Sequence, residues 1–212
     1  MAKHAPKLDR MRSRIAHLAA RIMAEGGTND FGQAKLKAAR QLDAVDTRAL
    51  PDNREVETAL RAYLALYQPE QQQTVLATLR RRAISLMEQL ASFNPHLVGS
   101  VLSGTAGRNA EICLQLFCDS PKDVEVFLLN QNVPFDAGHS RVRLGDRSVE
   151  VPALSFEFDG SPVSITTFSA DDLRALPKYR ADGSQIERAR IGQLRDLIAA
   201  DHLAHALQHR AP

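Results

Sequence analysis

The spacing of apolar residues changes near Asn94 and Pro95, and this change limits what the chain can fold into. Before it, apolar side chains recur at intervals of three and four residues, which places them on one face of a helix. After it, apolar residues alternate with polar ones or form short runs, as they do in strands. The pattern predicts an α+β fold, with a helical region over residues 1–93 and an α+β domain over residues 94–212.

Capping residues and chain breakers divide the helical half into four predicted helices. The stop signals and candidate caps are Gly26-Gly27, Asn29 or Asp30, Asp52 or Asn53, and Pro69. In the fourth helix, Arg80, Arg81 and Arg82 cannot all point in one direction, so we expect them to form a solvated face. The helical half also offers a docking surface for a protein partner.

The second half predicts a strand, a loop, a second strand, a helix, a meander of strands and a closing helix. Ser120 and Pro121 have the residue types of a helix start, with Ser at the cap and Pro in the first turn. Asp159 and Gly160 predict a tight turn between two strands. The predicted strands cover residues 96–100, 111–118, 141–144, 149–158 and 163–168, and the closing helix covers residues 187–209.

Composition excludes several classes of protein. Hydrophobic residues make up 44% and charged residues 25% of the chain, which is typical of a soluble globular protein. The net charge of +2 gives no indication of a nucleic-acid partner, and no apolar run is long enough for a membrane span. Cys113 and Cys118 are an odd number of residues apart in one predicted strand, so they should point to opposite faces. Two unpaired thiols favour a reducing, cytoplasmic location.

The segment from Gly99 to Phe117 carries the clearest chemical signal. A short strand ends in Gly99-Ser100, a stretch of small residues follows, and the next strand opens with Glu111. Glycine allows backbone N–H groups to approach a phosphate closely, and a serine hydroxyl can add a donor. A carboxylate nearby could reach a hard cation held by the same phosphates. These residue types suit a nucleoside triphosphate with Mg²⁺.

This segment resembles the signature of the polymerase-β-like nucleotidyltransferase superfamily, especially its minimal members. In that signature a strand ends in Gly-Ser, about ten residues intervene, and an acidic-apolar-acidic-apolar strand follows. Here ten residues, Val101 to Ala110, separate Gly99-Ser100 from Glu111, and Gly104 to Ala106 supplies the Gly-Thr-Ala piece of the minimal members. The resemblance covers residues 96–118 closely, extends loosely to about Phe168, and is absent from the helical half.

The resemblance implies a set of site residues. Glu111 matches the first metal-binding acid and is the expected catalytic residue. Glu157 and Asp159 lie near the expected third acid in sequence; Asp159 is explained by its turn, so Glu157 is the candidate for a second Mg²⁺ ligand. The expected nucleotide-binding residues are Gly99, Ser100, Gly104, Thr105 and Arg108. The implied reaction transfers a nucleoside monophosphate from a triphosphate to an acceptor hydroxyl.

Two positions depart from the family pattern. Cys113 stands where the second acid is expected, and Ser164 of Val163-Ser164-Ile165 stands where the third is expected. A thiol suits Mg²⁺ poorly, and two-ion phosphoryl transfer needs several negative ligands. The sequence therefore predicts a nucleotidyltransferase-like protein that binds a triphosphate, with transfer in question. The alternatives are an inactive nucleotide-binding or protein-interaction module of this fold, and a Gly-rich connection in an unrelated α+β domain.

Two further groups of residues have the composition of a site. Asp123 and Glu125 also follow an acidic-apolar-acidic pattern, but they lie too far from Ser100 and on a predicted helix. His202, His205 and His209 share one face of the closing helix, and we expect an exposed histidine-rich tail there rather than a metal site.

Overall fold

The computed structural model describes residues 5–26, 30–44, 49–67, 69–107, 110–144, 147–175 and 187–208. Within them the chain has the predicted α+β architecture. The helices of the first half are α1 (Ala5–Gly26), α2 (Phe31–Gln41), α3 (Asn53–Tyr67) and α4 (Pro69–Gln89). No helix among the described residues combines the length and the apolar character needed to cross a membrane.

The predicted caps of α2 and α3 are confirmed. The Asp30 carboxylate accepts a hydrogen bond from the Gln33 amide at 3.0 Å. Asp52 and Glu55 form a reciprocal capping box: each carboxylate accepts from the other residue's backbone N–H at 2.7 Å. These bonds satisfy amides that would otherwise lack an acceptor at the helix starts.

The second half contains a five-stranded sheet in the order β1-β2-β5-β4-β3. Strands β2 and β5 are parallel, and every other neighbouring pair is antiparallel. The strands are β1 (His96–Val98), β2 (Ile112–Phe117), β3 (Phe135–Leu144), β4 (Arg147–Phe158) and β5 (Ser161–Phe168). The other helices are α5 (Ser100–Ser103), α6 (Pro121–Asn130), α7 (Asp172–Ala175) and α8 (Ile191–Gln208).

The two faces of the sheet differ in chemistry. One face carries Ile112, Leu114, Val163 and Ile165 into a core that is covered by residues of α4, α6 and α8. The opposite face, which we call the polar face, has at its centre Cys113, Gln115, Ser155, Ser164 and Thr166, all of them half-buried or exposed. Side chains alternate between the two faces of a strand, so burial of one set leaves the other at the surface.

Buried residues form two main cores, one among α1, α2 and α3 and one between the sheet and the helices that cover it, and the predicted domain boundary at residues 93 and 94 stays a prediction. Helices α1, α2 and α3 pack together through a core rich in alanine, which allows close approach of the helices. Helix α4 contributes Leu79, Leu86, Met87 and Leu90 to the core of the sheet instead. The helical half is therefore split between α3 and α4, because α4 covers the apolar face of the sheet.

Several predicted boundaries were wrong in detail. β3 begins at Phe135 rather than Arg141, and α8 begins at Ile191 because residues 187–190 are extended. Ser120 precedes α6 as predicted, but its side chain makes no capping hydrogen bond. The predicted turn at Asp159 and Gly160 is confirmed, with φ of 49° and 70°.

Candidate functional site

The positions where the resemblance places the second and third acids lie together on the polar face. In the sheet, Cys113 lies directly beside Ser164 on the parallel strand β5 and beside Val98 on β1. Ser164 in turn lies beside Ser155 on β4. Residues that pair across strands share a face. The positions expected for the second and third acids are therefore neighbours on the polar face, where neither side chain is a carboxylate.

Gly99 joins β1 to α5 directly above Cys113. Its φ of 77° and ψ of −155° lie in a region of backbone conformation that is essentially restricted to glycine. A Cβ atom built at Gly99 would lie 3.6 Å from Cβ and 3.7 Å from Sγ of Cys113. The turn delivers Ser100 at the start of α5, and the Ser100 hydroxyl has no hydrogen-bond partner among the described residues.

Glu111 precedes β2 and contacts the thiol of Cys113. The Cys113 Sγ donates to Glu111 Oε2 over 3.7 Å, a long contact even for sulfur. Burial raises the pKa of the Cys113 thiol to about 12, and the negative charge of Glu111 adds to the effect. The thiol is therefore protonated at neutral pH, in a form that does not bind metal ions well.

Glu157 lies on the same face as Glu111 but is separated from it by β5. Glu157 pairs with Pro162, and the register of β2 on β5 places Glu111 level with Pro162 on the other side. Two strand spacings separate the Cα atoms of Glu111 and Glu157 by roughly 10 Å. Among the described residues, no group of three or more His, Cys, Asp or Glu side chains could hold a metal ion. The donors present do not match the family's two-ion set.

Gly104 and Thr105 end the turn that follows α5. Their backbone amides both donate to the carbonyl oxygen of Ser100, each at 3.0 Å. The buried Thr105 hydroxyl is bonded to the Ser103 hydroxyl at 2.9 Å. A phosphate contact through these two amides would have to replace existing bonds, which leaves Gly99 and Ser100 as the residues better placed to contact a ligand. Arg108 lies outside the described residues.

Three side chains of the helical half donate hydrogen bonds to carbonyl oxygens of residues 101–106, which we call the Gly-rich turn. Arg80 donates to Val101 O at 3.0 Å and to Leu102 O at 2.9 Å. Arg61 donates to Ser103 O at 3.0 Å, and Gln72 donates to Gly104 O at 3.2 Å and Ala106 O at 2.8 Å. The shape of the turn is therefore set largely by residues distant in sequence.

Arg80 corrects the prediction of a solvated arginine face. Its side chain is only 4% exposed and also forms an ion pair with Asp201 of α8. Burial lowers the pKa of the guanidinium, and the Asp201 carboxylate opposes that shift. Arg81 is exposed as predicted, and Arg82 binds Asp159 and Ser161. Local sequence gives no signal for Arg80, because its partners lie at least 21 residues away.

A cavity of about 800 Å³ lies on the other side of the Gly-rich turn. It is bounded by α3, α4, α8 and the extended residues before α8, and its lining includes Arg61, Arg80, Gly104, Gln193 and Asp201. Glu111, Cys113 and Ser164 do not line it. The cavity and the polar face are therefore different surfaces, and Arg188, which lines the cavity, also contacts Gln115 of the polar face.

Of the remaining candidates, Asp123, Glu125 and His202 do not line the cavity. Asp123 and Glu125 lie on α6, as the helix start predicted. His202 is exposed on α8, whereas the side chain of His205 and the whole of His209 lie outside the described residues.

No protein-family model, curated protein or solved structure matches the chain.

Replacing Gly99 should destabilise the fold through backbone strain. Gly99→Ala forces a Cβ into a left-handed conformation and is expected to cost about 1–3 kcal/mol of unfolding free energy. Gly107→Ala is the matched control, because its Cβ would meet no atom within 4 Å. Urea unfolding of the two variants measures the difference, and equal stabilities would contradict the described conformation of Gly99.

The raised pKa of Cys113 should make its thiol unreactive. At pH 8 a thiol of pKa about 12 is ionised only to about one part in ten thousand. In the Cys118→Ser variant, we expect iodoacetamide to alkylate Cys113 at least about a hundredfold more slowly in the folded protein than in urea. Mass spectrometry follows the reaction, and similar rates in the two states would contradict the burial and the pKa shift.

Proposed function

We propose that the protein binds a nucleoside triphosphate at Gly99 and Ser100, on the polar face of the sheet, and does not transfer its nucleotidyl group efficiently. The observation that carries the proposal is the register of β2 on β5, which pairs Cys113 with Ser164 beside Gly99. This is the arrangement expected if the chain shares the architecture of the polymerase-β-like nucleotidyltransferases.

The chemistry of Gly99 and Ser100, at one end of the polar face, supports phosphate binding. Gly99 has no side chain to obstruct an approaching phosphate. No described residue is hydrogen-bonded to the Ser100 hydroxyl, so this group can donate to a ligand. The turn behind them is braced by Arg61, Gln72 and Arg80, so it is held in shape before a ligand arrives. Such preorganisation lowers the cost of binding.

Nucleotidyl transfer is disfavoured because the same site carries too few negative charges. Phosphoryl transfer with two metal ions requires carboxylates that stabilise both the attacking and the leaving oxygen. Glu111 is one such group. Glu157 lies on β4, two strand spacings from Glu111, and Cys113 and Ser164 add no charge. We therefore expect Mg²⁺ at Glu111 and Glu157 to be weakly held and to contribute little to nucleotide affinity.

A cytoplasmic location is part of this proposal. Cys113 and Cys118 are both free thiols. Free thiols are usual in a reducing compartment, where nucleoside triphosphates are also plentiful.

Calorimetry with the four ribonucleoside triphosphates tests binding. The wild-type protein is expected to bind at least one of them with affinities that agree within about threefold with and without Mg²⁺, since the site offers few ligands for the ion. The double variant Cys113→Asp/Ser164→Asp rebuilds the missing carboxylates. It is expected to bind the nucleotide about tenfold more tightly with Mg²⁺ than without, and to begin transferring labelled nucleotide to an acceptor in cell extract.

Gln115→Asp/Thr166→Asp is the matched control. It places the same two charges on the same face and the same strand pair, two residues further along and away from Gly99. It should gain neither Mg²⁺-dependent binding nor transfer. The absence of triphosphate binding by the wild-type protein would reject the proposal. Transfer by the wild-type protein that is lost in Glu111→Ala would reject the claim that transfer is inefficient.

A further inference from the structure

Residues 187–190 form a short extended segment at the outer edge of β1. Ala189 and Leu97 exchange backbone hydrogen bonds, with Leu97 N to Ala189 O at 2.8 Å and Ala189 N to Leu97 O at 3.0 Å. Both residues are buried in the core below the sheet. Because neighbours in an extended segment point to opposite sides, Arg188 and Arg190 extend over the polar face.

The two arginines are held by neutral acceptors. Arg188 Nε donates to Gln115 Oε1 at 2.7 Å, and Arg190 Nε donates to His96 Nε2 at 3.2 Å. Among the described residues, neither guanidinium has a carboxylate within ion-pair distance, although six other arginines do. Within the part of the chain that the structure describes, two positive charges therefore lie on one face without a neutralising carboxylate.

The state of His96 is fixed by its contacts. Its Nδ1 lies 3.0 Å from the carbonyl oxygen of Asn94 and must donate to it, which leaves Nε2 as the acceptor for Arg190. The ring is buried and packs edge-on against Phe117, with ring centroids 5.0 Å apart. Burial lowers the pKa of His96, and the charges of Arg190 and Arg188 lower it further. The imidazole is thus a neutral support for Arg190.

These contacts leave the outer edges of both guanidinium groups available. Each Nε is occupied, and no hydrogen bond joins the terminal Nη atoms to any other described residue. Two residues of extended chain separate the Cα atoms of Arg188 and Arg190 by about 6.5 Å. Guanidinium groups at this spacing can bind one tetrahedral anion from two sides, each through a pair of N–H donors.

We propose that Arg188 and Arg190, oriented by Gln115 and His96, form a binding site for a phosphoryl group at the β1 edge of the polar face. Two uncompensated charges match a phosphate dianion better than a single carboxylate. The site is close to Cys113 on the same face. The His96–Gln115 pair lies two residues along β1 and β2 from the Val98–Cys113 pair. It is separate from Gly99 and Ser100 and does not depend on nucleotide binding there.

Titration with inorganic phosphate, inorganic pyrophosphate and ATP tests the site. The wild-type protein should bind pyrophosphate, and Arg188→Gln and Arg190→Gln should each weaken binding about tenfold or more. Arg195→Gln is the matched control: this exposed arginine of α8 is paired with Glu88, and its loss should leave affinity unchanged. Because Arg190 is exposed, its variant is expected to keep the wild-type thermal midpoint.

His96 provides a second readout that a change in folding would not imitate. A bound anion beside Arg190 should raise the pKa of His96, which NMR of the imidazole signals measures, and the rise should vanish in Arg190→Gln. Binding of ATP but not of pyrophosphate, weakened by Arg188→Gln and Arg190→Gln, would identify a nucleotide as the source of the phosphoryl group. The proposal fails if none of the three ligands binds, if all three arginine variants bind alike, or if the pKa of His96 does not change on binding.

Discussion

The parallel pairing of β2 with β5 is the interaction on which the rest of the domain depends. Parallel neighbours cannot be joined by a tight turn, so α6 and the β3–β4 hairpin must lie between them in the chain. The pairing sets Ile112 beside Val163 in the core and Cys113 beside Ser164 on the polar face. A shift by one residue would exchange the two faces. Burial of the apolar face therefore also fixes the geometry of the candidate site.

The arginines near the sheet fall into two groups that differ in how their charges are neutralised. The Arg80 guanidinium is buried and loses hydration, but it binds the carbonyl oxygens of Val101 and Leu102 and the carboxylate of Asp201. It thereby connects α4 to the Gly-rich turn and to α8. Burial of a charge is tolerated only with such complete pairing. Arg188 and Arg190 have the opposite arrangement, with the neutral partners Gln115 and His96 and no carboxylate partner among the described residues. Arg80 fixes the shape of the turn after α5, and the other two are the residues that we propose bind a phosphoryl group.

Local signals in the sequence were sufficient for α1 to α4, α6, the β2 and β5 strands and the Asp52 cap, since each depends on residues a few positions apart. The short helices α5 and α7 were not predicted. β3 was predicted too short because its first half, with Asp136, Gly138 and His139, is an exposed edge without alternation. The segment before α8 was predicted helical because its pairing with Leu97 comes from 92 residues away. The burial of Arg80 escaped prediction for the same reason: partners brought together by folding leave no local pattern.

Backbone amide NMR during titration with a non-hydrolysable triphosphate analogue tests the central claim, that the polar face beside Gly99 is the ligand site. We expect the largest shifts at Gly99 and Ser100, with smaller shifts at Cys113 and Ser164 across the β2–β5 pair. Shifts confined to the cavity beyond the turn, at Gly104 and Gln193, with Ser164 unchanged, would contradict the account.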